Sequence, residues 1–154
     1  MSARTKGFTL IEILVVVLII GITLGFTLLC FGDFGAGRRA VVNAEQFSSY
    51  LKLLQLQAIL ENNALGITFD KNGYHTHRLN QEKWQPMPAK GMFHERHFPE
   101  NIVVTVRQSK NTPQIIINAS GEISSFLVDF GTVKTPNLAR LAVKQGEPVL
   151  LKKS

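Results

Sequence analysis

Residues 6–21 read KGFTLIEILVVVLIIG. A Lys-Gly pair stands before an apolar run, and one carboxylate, Glu12, sits near the start of that run. From Phe8 to Phe31, 24 residues, Glu12 is the only charged side chain. As a helix this span covers roughly 36 Å at 1.5 Å per residue. A bilayer core is about 30 Å thick, so the run can cross it with some tilt. A cleavable secretory signal has a shorter apolar core, about 7–15 residues, with a small-x-small cut site behind it. The length therefore points to a membrane span. Arg4 and Lys6 precede the span and Asp33 is the first charge after it. Basic flanks stay cytoplasmic. The expectation is a single pass with a cytoplasmic N-terminus and the rest of the chain across the membrane.

Outside the span the composition is that of a soluble protein. The chain has 154 residues, which suggests one compact domain plus one extra element. The single cysteine, Cys30, lies inside the span, so no intramolecular disulfide can form. The exported part is long enough to fold on its own core. The formal charge is +6; without Arg4 and Lys6 it is 15 basic against 11 acidic residues, or +4. A mild excess of this kind is read as a solvated surface, and nucleic acid is disfavoured as a partner.

Past the span, FGDFGAG (31–37) carries three glycines, each costing a helix about 1 kcal/mol relative to Ala. A kink or frayed stretch is expected there. Residues 38–63 then show helical periodicity: Ala44, Phe47, Leu51, Leu54 and Ala58 recur at three- and four-residue steps. Tyr50, Leu53 and Leu60 widen that stripe, Gln46, Lys52, Gln55 and Glu61 lie off it, and Asn62-Asn63 ends the helix. The chain beyond Asn63 reads as strands. Leu65, Ile67 and Phe69 alternate, and DKNG (70–73) turns into YHTHRLN. Trp84, Pro86, Pro88 and Pro99 fall in a loop-like stretch. NIVVTVR (101–107) alternates again. QIIINA (114–119) and ISSFLVDF (123–130) read as a hairpin with Phe126, Val128 and Phe130 as a buried row. LARLAVKQGEPVLLK (138–152) reads as a final hairpin around Gln145-Gly146. One long helix leading into short strands gives an α+β class: a helix packed on an antiparallel sheet or sandwich.

An ionised carboxylate inside a membrane helix costs about 2.5–3.5 kcal/mol at the bilayer centre, and less toward the end where Glu12 stands. Something positive should meet it. If the chain is cut between Gly7 and Phe8, the new α-amine of Phe8 lies in the same membrane layer. Within one chain it is four residues away. Between chains it can reach Glu12 of a neighbour staggered by about one turn, 5.4 Å. The alternative is a carboxylate that snorkels or is protonated, aided by the helix N-terminus.

KGFTLIEILVVVLIIGI resembles the class III signal of type IV pilins and type II secretion pseudopilins: a short basic leader ending in Gly, then Phe-Thr-Leu-Ile-Glu and an apolar span. Gly7, Phe8, Thr9, Leu10, Ile11 and Glu12 all match. The resemblance implies that a membrane-bound prepilin peptidase cuts between Gly7 and Phe8 and methylates the Phe8 amine. It implies that Glu12 is the assembly glutamate that pairs with a neighbour's N-terminus. A looser match concerns the rest of the chain. Gln57 and Ala58 at the helix end, the strand ending at Phe69, a lone Trp84, and Gly121, Glu122 and Phe126 in a late Gly-Glu-x-x-x-Phe strand resemble the H-type minor pseudopilins.

That resemblance implies a structural subunit, not an enzyme, in a short periplasmic filament whose growth pushes folded substrates through an outer-membrane channel. Its partners would be the peptidase, other pseudopilins contacted through the membrane helix, and the inner membrane. The expected organisation is leader 1–7, span 8–31, linker and amphipathic helix 32–63, and β-rich periplasmic domain 64–154. The rival from the same fold is a minor type IV pilin, including a DNA-binding form with a basic Gly-Arg-x-Arg-like end. Here the chain ends QGEPVLLKKS, with Gly146 and Lys152-Lys153 but no arginine past Arg140, which disfavours DNA. GITLG (21–25) is a small-xxx-small pair that can let spans pack closely. His75 and His77 share a strand face, and His94 and His97 sit in HERH; all are read as polar edge residues, so neither a metal nor a cofactor is expected. No nucleophile elbow, phosphate loop or paired-carboxylate site is present in the sequence.

Overall fold

The computed structural model describes residues 9–88, 91–107, 112–144 and 146–152, the side chains of 28–34 and 144 excepted. Helix α1 runs Leu10–Glu61. Its first turn is anchored by the Thr9 carbonyl, which accepts from the Glu12 and Ile13 amides at 3.0 and 3.3 Å. Its end is a left-handed Asn62 (φ 47°). The Asn63 amide reaches back to Ala58 O at 3.1 Å and the Asn62 amide to Ile59 O at 3.2 Å. This paired closure is what an Asn at that position supplies. The stretch 31–37, expected to kink or fray, is helical throughout. Extending a helix from formed turns on both sides costs far less than starting one, and this outweighs three glycines.

The chain divides into two compact units, Met1–Gly35 and Ala36–Ser154. In the first, Leu10–Thr27 is long and apolar enough to cross a membrane, with mean hydropathy 2.6 and none of it buried. Its two threonines close on their own helix: Thr23 Oγ1 donates to Ile19 O at 3.0 Å and Thr27 Oγ1 to Thr23 O at 2.7 Å. Back-bonding of this kind satisfies a hydroxyl where no water is near. Glu12 is then the one polar side chain of Leu10–Thr27 that the helix itself does not satisfy.

In the second unit the strands are β1 (Leu65–Phe69), β2 (Gly73–Asn80), β3 (Lys83–Pro86), β4 (Arg96–His97), β5 (Ile102–Arg107), β6 (Ile115–Ile117), β7 (Leu127–Thr132), β8 (Ala139–Lys144) and β9 (Glu147–Lys152). They form two sheets. One has the order β3-β2-β1-β6 with β4 added on β2; the other has the order β5-β7-β8-β9. The paired strands are antiparallel throughout. The α+β expectation is met.

Two local expectations fail. Trp84 lies on β3, paired with Leu79, not in a loop. Its ring and Pro113 cover Gly66, where a Cβ would collide with the proline ring. The expected hairpin of 114–130 does not form either. β6 pairs with β1, β7 pairs with β5 and β8, and the two segments meet only at an Ile117–Ile123 bridge. Ser124 ends the pairing: its Oγ accepts the Ile116 amide at 2.9 Å and its own amide donates to Ile116 O at 2.8 Å. Beyond it the chain changes sheets. Alternating apolar residues read the same whether two strands share a sheet or face each other across a core.

The helix stripe packs between these sheets. Ala44, Phe47, Tyr50, Leu51, Leu54 and Ala58 are all buried. The Phe47 ring meets Phe69 and Tyr74 of one sheet (centroids 5.3 and 5.0 Å) and Phe130 of the other (5.8 Å). The Tyr50 hydroxyl and Thr76 Oγ1 share a buried hydrogen bond of 2.5 Å, and burial raises the Tyr50 pKa. On β7, Asp129 is 1% exposed. Arg140 of β8 grips it with two bonds (2.7 and 3.1 Å), and Arg107 of β5 adds a third contact at 3.0 Å. One carboxylate thus ties three strands, and losing it would leave two guanidinium groups without their partner.

Candidate functional site

Of the residues singled out in the sequence, Gly7 and Phe8 lie outside the described residues. Glu12 stands in the first turn of α1 and is exposed. A carboxylate there faces the positive end of the helix dipole, which lowers the cost of keeping it charged. Gly21 and Gly25 meet nothing within 4 Å of where a Cβ would be, so that face is open to a close neighbour.

A second open surface was not read from the sequence. Leu53 and Leu60, expected to widen the buried stripe, are 42% and 80% exposed. At 100° per residue they lie about 120–140° round the helix from Phe47. With Val42 and Leu56 they line an outward apolar stripe at heptad-like spacing, flanked by exposed Ile59. The signal was present in Val42, Leu53, Leu56 and Leu60, with the polar Ser49 in the gap between the first two. Reading a single wide stripe merged two faces more than about 100° apart.

The helix end is fixed to the sheets by polar contacts. Glu61 accepts from Gln57 Nε2 at 2.5 Å and from an Arg78 guanidinium nitrogen of β2 at 2.7 Å. Gln55, placed off the stripe in the sequence, donates to the Gly121 carbonyl at 2.8 Å. Gly121 has φ +83°, and a Cβ there would press on Ile59 at 2.7 Å. Glu122 accepts from Asn118 Nδ2 at 3.2 Å, and Phe126 is buried. The late Gly-Glu-x-x-x-Phe segment is therefore a packed turn against the helix end. Nothing in the spacing announced Gln55, because a side chain at the margin of a stripe is assigned by its partner and not by its period. His94 sits in an exposed loop with Nδ1 2.6 Å from Gly91 O.

Comparison with known proteins supports the same reading. The family profile described as Type II transport protein GspH matches residues 43–146. A profile for the prokaryotic N-terminal methylation motif matches residues 2–28. The chain is similar to the type II secretion system protein H of Pseudomonas aeruginosa, with 29% identity over 79% of this chain and 80% of the relative. It is also similar to that of Aeromonas hydrophila, with 21% identity over 94% and 96%. Among solved structures, its fold resembles the minor pseudopilin EpsH of Vibrio cholerae (TM-score 0.66, 20% identity, 75% of this chain and 99% of that one). It also resembles GspH of Escherichia coli (TM-score 0.65, 19% identity, 79% and 94%).

Proposed function

This chain belongs to the GspH family of type II transport proteins, and from that premise we propose that it is a minor pseudopilin processed between Gly7 and Phe8 and assembled through Glu12. The family is structural, and membership favours the secretion branch over the pilus branch. Its role is to join other pseudopilins in the filament of a type II secretion system and so support export of folded proteins. Catalysis has no part in this role. The span 8–31 holds the chain in the inner membrane with the N-terminus cytoplasmic, and the β-rich domain 64–154 faces the periplasm.

The observation that carries the reading is Glu12 itself. It is the single charged side chain in the apolar, uncovered stretch Leu10–Thr27, and such groups are retained when something positive meets them. A prepilin peptidase working after Gly7 would supply that positive group as the methylated Phe8 amine.

Processing gives the direct test. The wild-type chain extracted from membranes should have an intact mass lacking residues 1–7 and carrying one added methyl. Gly7→Val should retain the leader, because a β-branched side chain does not fit a cleavage site shaped for glycine. A wild-type chain that keeps its first seven residues would end this reading.

The outward stripe of α1 offers a second test, with other pseudopilin helices as the apolar surface that covers it. Leu56→Glu should leave folding almost unchanged, within about 0.5 kcal/mol, because the side chain is already in solvent. It should nonetheless weaken cross-linking to filament partners. Unchanged cross-linking would remove the stripe from the assembly surface.

A further inference from the structure

The turn between β1 and β2 presets one carboxylate. Asp70 Oδ1 accepts the amides of Asn72 and Gly73 at 2.7 and 2.6 Å, as the DKNG turn requires. That fixes Oδ2, which lies 2.7 Å from His75 Nε2. Backbone donation from Asn72, then the bond to His75, holds the Asp70 carboxyl below its ordinary range. It is a ready anion. β4 lies antiparallel on β2, with Gly73 opposite His97 and Tyr74 opposite Arg96. One residue further on, Glu95 comes beside His75, with Oε2 3.7 Å from Nδ1. The other Glu95 oxygen is 3.4 Å from His97 Nε2.

Three stretches of chain thus converge on one imidazole. Asp70, His75 and Glu95 each bring a ligand atom within 4.8 Å of the other two. We propose that these three residues form a binding site for a divalent transition-metal ion, with His97 at its margin. The donor set is one imidazole and two carboxylates, which suits Zn²⁺, Ni²⁺ or Mn²⁺. Metal–donor distances of about 2.0–2.2 Å place donors roughly 3–3.5 Å apart. Asp70 and Glu95 meet opposite nitrogens of the His75 ring, Nε2 and Nδ1, so an ion bound to one nitrogen would draw the other carboxylate round the ring edge by a side-chain rotation. The two carboxylates are nearly half exposed and His75 about a third, which leaves a path of entry and an open position for water or a further ligand. The guanidinium of Arg96, next to Glu95 in the chain, lies over the Tyr50 ring, 5.3 Å from its centroid.

The sequence did not show this site. His75 and His77 suggest a chelating pair by spacing, but the structure pairs His75 with two carboxylates, one brought by a turn and the other by a two-residue strand. The effect of the ion would be local. β4 is held to β2 by two residue pairs, and a metal on Asp70, His75 and Glu95 would join turn, β2 and β4 at a single point. This inference is independent of the assembly reading, since it involves no membrane residue.

The test uses full-length protein without a histidine tag, in mild detergent, stripped by chelator. Titration with Zn²⁺ should show one ion per chain and a rise in thermal midpoint that Mg²⁺ does not give. His75→Ala and Glu95→Gln should each weaken binding by roughly tenfold or more, while His94→Ala should leave it unchanged. No heat or shift at about 0.1 mM Zn²⁺, well above the range of a working protein site, would overturn the proposal. So would binding that survives His75→Ala undiminished, because scattered surface histidines would then be responsible.

Discussion

Phe47→Ala should destabilise the folded unit by about 3–5 kcal/mol, the cost of emptying a large aromatic site that cannot collapse. A whole domain has only about 5–15 kcal/mol to lose. The ring is 1% exposed, and among the described residues it is the one helix side chain whose aromatic contacts span both sheets, through Phe69, Tyr74 and Phe130. Those three rings move no closer to one another when Phe47 is truncated, because Phe69 and Tyr74 are held opposite each other in the β1–β2 ladder. Trp84, the only tryptophan, sits on β3 and reports unfolding by its fluorescence. Denaturant midpoints of the full chain in mild detergent, wild type against Phe47→Ala, give the difference directly. Leu56→Ala is the control on the opposite face and should move the midpoint little. A Phe47→Ala cost below about 1 kcal/mol, the range of an ordinary substitution, would mean that the helix does not close the core.

The buried face of α1 was legible because a helix repeats at 3.6 residues and its core residues had to be apolar; Ala44, Phe47, Leu51, Leu54 and Ala58 obey that. β1, β2 and the last hairpin were legible for the same reason at period two, with DKNG and Gln145-Gly146 marking their turns. What was hidden depended on partners far apart in the chain. Asp129 reads as a solvent residue in ISSFLVDF, yet two arginines from neighbouring strands cover it. β6 and β7 look like a hairpin because nothing local records that Ser124 caps the first ladder. Glycines 32, 35 and 37 look like a break because propensity is summed locally, whereas a helix is stabilised by the turns on either side. The candidate assembly site is legible for the opposite reason. Gly7, Phe8 and Glu12 are adjacent in sequence, and a charge in an apolar run is conspicuous without any fold.

Glu12→Ala should leave membrane insertion and cleavage intact and abolish or greatly weaken filament assembly. Insertion should be easier, since removing the charge removes a cost of up to about 2.5–3.5 kcal/mol. Cleavage depends on the residues at the cut, which the substitution does not touch. Assembly is where the carboxylate acts under the proposed mechanism. A charge pair at 4 Å is worth about 4 kcal/mol at an effective dielectric of 20, before the desolvation it must offset. Even a third of that is a tenfold change in a neighbour's affinity. Thr23 and Thr27 cannot substitute, because their hydroxyls are spent on Ile19 and Thr23 carbonyls. Glu12→Asp keeps the charge but shortens the reach by one methylene, so it should be intermediate. Glu12→Gln keeps hydrogen bonding without the Coulomb attraction, so it should fall nearer to Ala. A glutamate that merely snorkels toward the headgroups predicts a different series, in which Ala, Gln and Asp all assemble normally. Cross-linking of the membrane form to other pseudopilins, with intact mass measured in parallel to verify cleavage, separates the two. Normal cross-links and normal secretion for a cleaved Glu12→Ala chain would show that register within the filament is set by the apolar surfaces alone.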